Sequence, residues 1–246
     1  LREREKNEEK VNTFFVALTT CEEETVAQHE RKDLLRIAIK VFNDELHKRL
    51  FTSGTLAQEI RHYISPEFRA LFEEHCEKYK HLTFLYHGIP SSVFDYYKQA
   101  QELLTGEKDL VAELESIENQ ARVAREVKET LFSNLSVSEE YRHFFNLFGK
   151  FMASKWHRRN AQILALFYLE PLLKEIGNRF RMSLWHVRVM TWSEVEKMLL
   201  EHTIPDIAEL NKRSEFFVFY VEEGKSEIST GQKALEWEKQ TETKID

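Results

Sequence analysis

The chain has 246 residues, of which only seven are Gly and four are Pro, and this composition favours long helices with short connections. Its net charge of −7 argues against a nucleic-acid backbone as the main partner, because phosphate binding needs clustered cations. The two cysteines are too few for a disulfide framework. The sequence has no apolar run long enough to span a membrane, so we expect a cytoplasmic protein.

The first third of the sequence predicts helices that each carry an apolar face. Val11–Leu18 has apolar residues at helical spacing, and Val26–Phe51 predicts one long helix with a wide apolar stripe. A short helix is expected over Thr55–Tyr63. A further helix is expected over Pro66–Lys80, because Ser65 suits the cap and proline suits the first helical turn.

The middle of the sequence predicts a break followed by more helices. His81–Pro90 interrupts the helical pattern, and we expect this apolar loop to line a pocket. Helical spacing resumes over Ser91–Thr105 and then over Glu107–Phe132, which is charged and amphipathic. An aromatic helix is expected to start at Ser138. A separate helix is expected over Trp156–Phe180.

The last part of the sequence changes its period from helix to strand. Pro171 suits either the first turn of a helix or a kink within one. Thr191 or Ser193 can cap the next helix, and a further helix covers Ile207–Arg213. An aromatic run over Phe216–Tyr220, followed by a Glu-Glu-Gly-Lys turn, predicts a β-hairpin.

These elements predict a mainly α-helical protein that ends in a small β-hairpin. We expect two packed helical subdomains, followed by the hairpin and a short helix. The expected segments are residues 1–105, residues 106–215 and residues 216–246.

Four motifs of the C-terminal part carry a resemblance to a known family. They are Pro-Leu-Leu-x-Glu-Ile-Gly at Pro171–Gly177, Met-Thr-x-x-Glu-Val at Met190–Val195, Lys-Arg-x-x-Phe-Phe-Val at Lys212–Val218 and Ser-Thr-Gly-x-x-Ala at Ser229–Ala234. Together they resemble the region ahead of the phosphohistidine swivelling domain in phosphoenolpyruvate-utilising enzymes, such as phosphoenolpyruvate synthase and rifampin phosphotransferase. The resemblance covers about a quarter of the chain, from Glu170 to Trp237.

The resemblance implies a helical segment of a multidomain, ATP-dependent phosphotransferase. An ATP-grasp domain would precede Leu1, and the phosphohistidine domain would follow Asp246. ATP and Mg²⁺ would serve the full-length enzyme, and this segment would hold no cofactor. It would act as the scaffold, or as the acceptor-binding part, of the second site, with no catalytic residue of its own. The alternative is a free-standing helical adaptor that binds another protein through aromatic residues.

The sequence offers little sign of a self-contained catalytic or metal site. No two glycines are closer than seven positions, so a phosphate-binding loop is excluded. Glu59 and His62, like Glu140 and His143, have the Glu-x-x-His spacing of carboxylate-bridged metal bundles, but chance accounts for such pairs in a Glu-rich chain. No serine or cysteine has a recognisable nucleophile setting. We therefore predict neither a metal site nor catalytic residues.

Two groups of side chains are candidates for binding a small-molecule acceptor. The basic cluster around Lys155, Arg158 and Arg159 could bind an anion or dock a mobile domain, or it could be a solvated helix face paired with glutamates. An aromatic set could wall a pocket for a planar, apolar substrate, or it could belong to the core. The predicted substrate-binding residues are Phe84, Tyr86, Tyr97, Phe144, Phe148, Lys155, Arg158 and Arg159.

Overall fold

The structure, a computed structural model, describes residues 8–242 of the chain. Within them lie twelve α-helices, one short 3-10 helix and two strands. In chain order these are α1 (Glu8–Thr19), α2 (Val26–Asn43), α3 (Glu45–Thr52), α4 (Ala57–Tyr63), α5 (Pro66–Tyr79), η1 (Lys80–Leu82), α6 (Val93–Thr105), α7 (Leu110–Asn134), α8 (Glu139–Phe180), α9 (Leu184–Arg188), α10 (Trp192–Glu201), α11 (Ile207–Glu215), β1 (Phe217–Glu222), β2 (Lys225–Thr230) and α12 (Gly231–Glu242).

The predicted fold class is confirmed, because the described chain is mainly helical and carries one two-stranded antiparallel sheet near its C-terminal end. None of the helices in residues 8–242 combines the length and the apolar character needed to cross a membrane.

The chain divides into two compact units between Phe167 and Tyr168. This position lies within α8 and differs from the boundaries expected at residues 105/106 and 215/216, which remain predictions. Residues 1–7 of the first expected segment and residues 243–246 of the third lie outside the described residues.

The core of the first unit is built by α2, α3, α5 and α6 around three aromatic rings. Phe51 stacks on Phe72 with 5.6 Å between ring centroids, and Tyr97 meets Phe72 edge to face at 4.9 Å. Aliphatic residues of α2, including Leu34 and Leu35, are fully buried beside them. The wide apolar stripe within Val26–Phe51 therefore predicts the position of this core correctly.

The structure corrects the helix expected over Val26–Phe51, which is two helices that meet at Asp44. The backbone of Asp44 is extended, with φ −102° and ψ 111°, so the chain leaves the helix there. Its carboxylate accepts a hydrogen bond of 3.0 Å from the backbone N–H of His47 and caps α3. Leu46, in the first turn of α3, is exposed, so the apolar stripe does not continue unbroken from α2 into α3.

The two helices expected around Phe151 and Trp156 are one continuous helix, α8. No glycine or proline separates these two residues, so nothing in the local chain stops the helix. Pro171 does not begin a helix, because it lies inside α8, where it offers no N–H to the helical ladder.

The second unit contains α9 to α12 and the hairpin. Phe217 pairs with Thr230 at one end of the sheet and Glu222 pairs with Lys225 at the other. Glu223 and Gly224 between the strands have φ of 50° and 77°, the left-handed values of a two-residue hairpin turn. The predicted hairpin is thus confirmed, and Thr191 caps α10 in a capping box with Glu194.

Candidate binding groove

A groove of about 500 Å³ lies in the first unit. Its walls are the connection between α1 and α2, the first turn of α2, the segment after α5, and the middle of α8. It is lined by Cys21, Glu23, Glu24, Thr25, Val26, Ala27, Gln28, Leu82, Leu85, Ala153, Trp156, His157, Arg159, Asn160 and Ile163.

One wall is fixed by the way α2 begins. Thr25 has an extended backbone, and its hydroxyl accepts a hydrogen bond of 3.3 Å from the backbone N–H of Gln28. The side-chain oxygen of Gln28 accepts in return from the backbone N–H of Thr25, at 2.8 Å. This reciprocal capping sets where the connection ends and turns Val26 and Ala27 toward the groove.

The opposite wall is one side of α8. Ala153, Trp156, His157, Asn160 and Ile163 recur at three- and four-residue steps, so they lie along one helical face. Ala153 and Ile163 are buried and form an apolar floor, whereas Trp156 and His157 are exposed at the rim. The groove therefore has an apolar base and a polar edge, as small-molecule sites commonly do.

The third wall is the loop that the sequence predicts to line a pocket. Leu82 and Leu85 both line the groove, which confirms that expectation. The loop is held in place by hydrogen bonds, since the Thr83 hydroxyl lies 2.9 Å from the Ser91 hydroxyl. Phe84 points away from solvent and packs edge to face on Phe167, at 5.7 Å.

The polar edge carries charges of both signs. His157 Nε2 lies 3.3 Å from a carboxylate oxygen of Glu23 across the groove rim. Glu24 pairs with Lys32 at 2.5 Å and with His29 at 3.2 Å, so its charge is balanced locally. Within the described part of the chain, the exposed guanidinium of Arg159 makes no ion pair or hydrogen bond. Arg159 could therefore bind an anionic group of a ligand.

The structure separates the eight predicted substrate-binding residues. Arg159 lines the groove, whereas Tyr97 is fully buried in the core formed by α2, α3, α5 and α6, and Phe84 is the buried side chain of the loop. Tyr86 is half exposed on the loop. The other four, which lie on the surface of α8 and do not line the groove, are Phe144, Phe148, Lys155 and Arg158.

These eight residues therefore do not form one pocket, and their role in substrate binding stays a prediction. The sequence pattern does not indicate that Cys21–Gln28 lies at the groove. The Thr-x-x-Gln capping pattern at Thr25 marks a helix start, but it does not reveal that α8 passes in front of it.

The buried side chains of His75, His81 and Cys76 all have partners within the first unit. His75 lies 3.2 Å from Glu30, and His81 Nε2 lies 3.4 Å from the side-chain oxygen of Asn160. The Cys76 thiol donates to the carbonyl oxygen of Ser91 at 3.6 Å. Across residues 8–242 there is no group of three or more His, Cys, Asp or Glu side chains placed to hold a metal ion.

Comparison of the chain with protein-family models, with curated proteins and with solved structures finds no match. The assignment of a function therefore depends on the groove and on the sequence motifs.

Proposed function

We propose that this chain is the acceptor-binding helical segment of a cytoplasmic, ATP-dependent phosphotransferase that resembles phosphoenolpyruvate synthase and rifampin phosphotransferase. The single observation that carries the binding role is the groove, which combines an apolar floor with an exposed Arg159 that has no ion pair or hydrogen bond within residues 8–242. The C-terminal motifs and the hairpin support the family. The ATP-grasp and phosphohistidine domains, with ATP and Mg²⁺, would belong to other parts of the same polypeptide.

The groove favours one class of acceptor. Val26, Leu82 and Ile163 present aliphatic surface to the ligand, and Trp156 adds an aromatic ring at the rim. A volume of about 500 Å³ falls in the range of drug-sized ligands. We infer an acceptor with a flat apolar body and a polar or anionic group, which Arg159 would bind by charge-assisted hydrogen bonds.

The first test is direct binding of an anionic aromatic probe, anilinonaphthalene sulfonate, to the 246-residue chain. The probe should saturate one site and quench tryptophan emission, because Trp156 lines the groove. Arg159→Glu should weaken binding roughly 10-fold, by charge reversal at the rim. Ala27→Trp should abolish it by filling the groove. The matched control is Ala70→Trp, at an exposed α5 position outside the groove, which should leave binding unchanged.

Binding that survives both Ala27→Trp and Arg159→Glu would refute the groove as the acceptor site. The phosphotransferase assignment has its own tests. The isolated chain should not hydrolyse ATP, and hydrolysis would contradict the proposal. A reading frame that continues past Asp246 into a Gly-Gly and Ser-His stretch is expected, whereas a stop codon there would favour the helical adaptor.

A further inference from the structure

The first half of α8 exposes a row of apolar side chains with a charged residue at each end. Phe151 is 70% exposed, Phe144 57%, Leu147 56% and Phe148 37%. These four side chains lie on one helical face, because each of them is three residues from one of the others and four residues from another. We call this row the α8 stripe, and its members are Glu140, Phe144, Leu147, Phe148, Phe151 and Lys155.

The residue spacing of the α8 stripe is symmetric about the midpoint between positions 147 and 148. Phe144 lies three residues before Leu147, and Phe151 lies three residues after Phe148. Glu140 lies seven residues before Leu147, and Lys155 lies seven residues after Phe148. A two-fold axis between positions 147 and 148 therefore places each aromatic residue opposite an apolar one and each charge opposite its counter-charge.

We propose that the α8 stripe is a self-association surface, where two copies of this chain pair through antiparallel α8 helices. Phe144 of each copy would pack on Phe151 of the other, and Leu147 would pack on Phe148 across the axis. Glu140 would face Lys155 of the second copy at both ends. This proposal does not depend on the phosphotransferase assignment.

Charge selects the antiparallel orientation. Neither Glu140 nor Lys155 has an ion pair or hydrogen bond within residues 8–242, so both remain available. A parallel pair would place Glu140 against Glu140 and Lys155 against Lys155, which disfavours that arrangement. The antiparallel dimer gains two ion pairs. These ion pairs mainly fix the relative orientation of the two α8 helices, because exposed ion pairs add little affinity.

The exposed apolar area suits a reversible dimer. The four apolar side chains of the α8 stripe expose roughly 400 Å² per copy when an aromatic side chain is taken as about 200 Å². Tyr141 and Phe15 flank the stripe and are also exposed, so a pair of chains would bury on the order of 1,200 Å² in total. This value lies at the lower end for specific interfaces. An apolar patch of this size is comparable with the largest patch on a typical monomer, and such patches are often functional.

Analytical ultracentrifugation of the full chain tests the proposal. The wild-type protein should shift from monomer to dimer between roughly 1 and 200 µM, the affinity expected of such an interface. The double variant Phe144→Glu with Phe151→Glu should stay monomeric, because four carboxylates would face each other. The matched control is Tyr63→Glu on α4, which is 69% exposed and outside the stripe, and which should dimerise like the wild type. Circular dichroism should show native helicity in all of them.

Reciprocal charge reversal tests the orientation without removing apolar surface. Glu140→Lys and Lys155→Glu should each raise the dimer Kd roughly 10-fold, because each creates two like-charge contacts. The combined variant should return the Kd to within about 3-fold of the wild type, because the pairs re-form with exchanged signs.

Disulfide trapping tests the register. Leu147→Cys should form a disulfide-linked dimer on mild oxidation, because position 147 lies beside the axis in both copies. Lys155→Cys should not, because the two copies of position 155 are displaced by about 20 Å along the helix.

A wild-type chain that stays monomeric, or a dimer that persists in the Phe144→Glu and Phe151→Glu double variant, would overturn the proposal. A dimer trapped through position 155 would overturn it as well.

Discussion

The ammonium group of Lys128 donates hydrogen bonds to a carboxylate oxygen of Glu22 at 2.8 Å and to the carbonyl oxygen of Thr20 at 3.1 Å. Only 2% of the Lys128 side chain is exposed. The lysine lies on α7, whereas its two partners lie in the connection between α1 and α2 that forms one wall of the groove. This buried cation therefore ties the groove connection to a neighbouring helix.

Lys128→Met should destabilise the chain by about 2 kcal/mol, because it leaves Glu22 and the carbonyl of Thr20 without this partner. The hydrogen bond from Lys128 is the main cause that lowers the pKa of Glu22 below its usual range. The stabilisation is therefore present above about pH 4.5 and is lost as the pH falls through the lowered pKa.

Urea unfolding of both proteins at pH 7 and at about pH 3 measures this effect. The difference in unfolding free energy should be smaller at the lower pH, because the stabilisation by the ionised Glu22 declines as the pH falls below the ordinary pKa of 4.5. The control is Lys98→Met, an exposed lysine whose carboxylate partner Glu102 lies 4.0 Å away, and it should change stability by less than about 0.5 kcal/mol. An equal loss in both variants would show that burial of Lys128 has no special role.

Asp33 gives a second pH-dependent contribution to stability. Burial acts to raise the pKa of Asp33, but hydrogen bonds from Lys78 at 2.9 Å and Tyr79 at 2.6 Å outweigh it and lower the pKa to about 2. Because the folded pKa lies below the ordinary value of 3.8, stabilisation is present above pH 3.8 and is lost as the pH falls toward 2.

Asp33→Asn should therefore cost about 1 kcal/mol at neutral pH after allowance for solvent screening, and almost nothing near pH 2. Thermal unfolding across this range measures the difference. Glu115→Gln, an exposed change on α7, should leave the pH profile of the wild type intact. A cost for Asp33→Asn that does not change with pH would contradict the role of the ionised carboxylate.

The fold was predictable where local chemistry decides it. Ser65, with Pro66 in the first turn, starts α5, and the Glu-Glu-Gly-Lys turn forms the hairpin, because capping and turn preferences act over four or fewer residues. The sequence does not predict the break at Asp44, because the apolar spacing continues through it and a capping aspartate within an apolar stripe gives a weak signal.

The candidate groove was less predictable because three distant segments build it. The loop after α5 and Arg159 of α8 are expected at a binding site from the sequence, whereas Cys21–Gln28 and the rest of the α8 face join the groove through tertiary packing. The aromatic residues show the same limit. Tyr97 is buried and Phe144 is exposed, although both lie in helices rich in aromatic residues. Spacing indicates a face, but it does not say what covers that face.

The largely buried guanidinium of Arg213 should stabilise the second unit. It lies 2.8 Å from a carboxylate oxygen of Glu194, which also accepts a hydrogen bond of 2.7 Å from the backbone N–H of Thr191. Burial acts to raise the pKa of Glu194, but the hydrogen bonds from Arg213 and Thr191 outweigh it and the pKa is lowered. Arg213→Met leaves a partly buried carboxylate and should cost about 2 kcal/mol near neutral pH.

This cost should fall below pH 4.5, the ordinary pKa of Glu194, as the carboxylate gains a proton. Hydrogen exchange at the amides of α10 and α11 measures the loss locally. Arg179→Met, which removes an exposed arginine from an i,i+4 pair with Glu175, is the control and should change exchange little. Unchanged protection of α10 in Arg213→Met would refute the coupling between the two helices.

Gly177 should resist substitution even though alanine normally favours a helix. A Cβ atom at Gly177 would lie 2.8 Å from the backbone carbonyl oxygen of Met182, closer than van der Waals contact allows. The backbone N–H of Met182 donates to the carbonyl oxygen of Gly177 at 2.8 Å, so the chain cannot move away without weakening this bond. The reversal at the end of α8 therefore requires a residue without a side chain.

Gly177→Ala should consequently destabilise the chain by about 1 to 3 kcal/mol, because steric strain outweighs a gain of about 1 kcal/mol in helix propensity. Urea unfolding followed by circular dichroism measures the net change. Asn178→Ala is the matched control, since Asn178 lies next to Gly177 and is exposed. It should stabilise the chain slightly through propensity alone. If Gly177→Ala were also stabilising, the close approach of Met182 would not restrict this position.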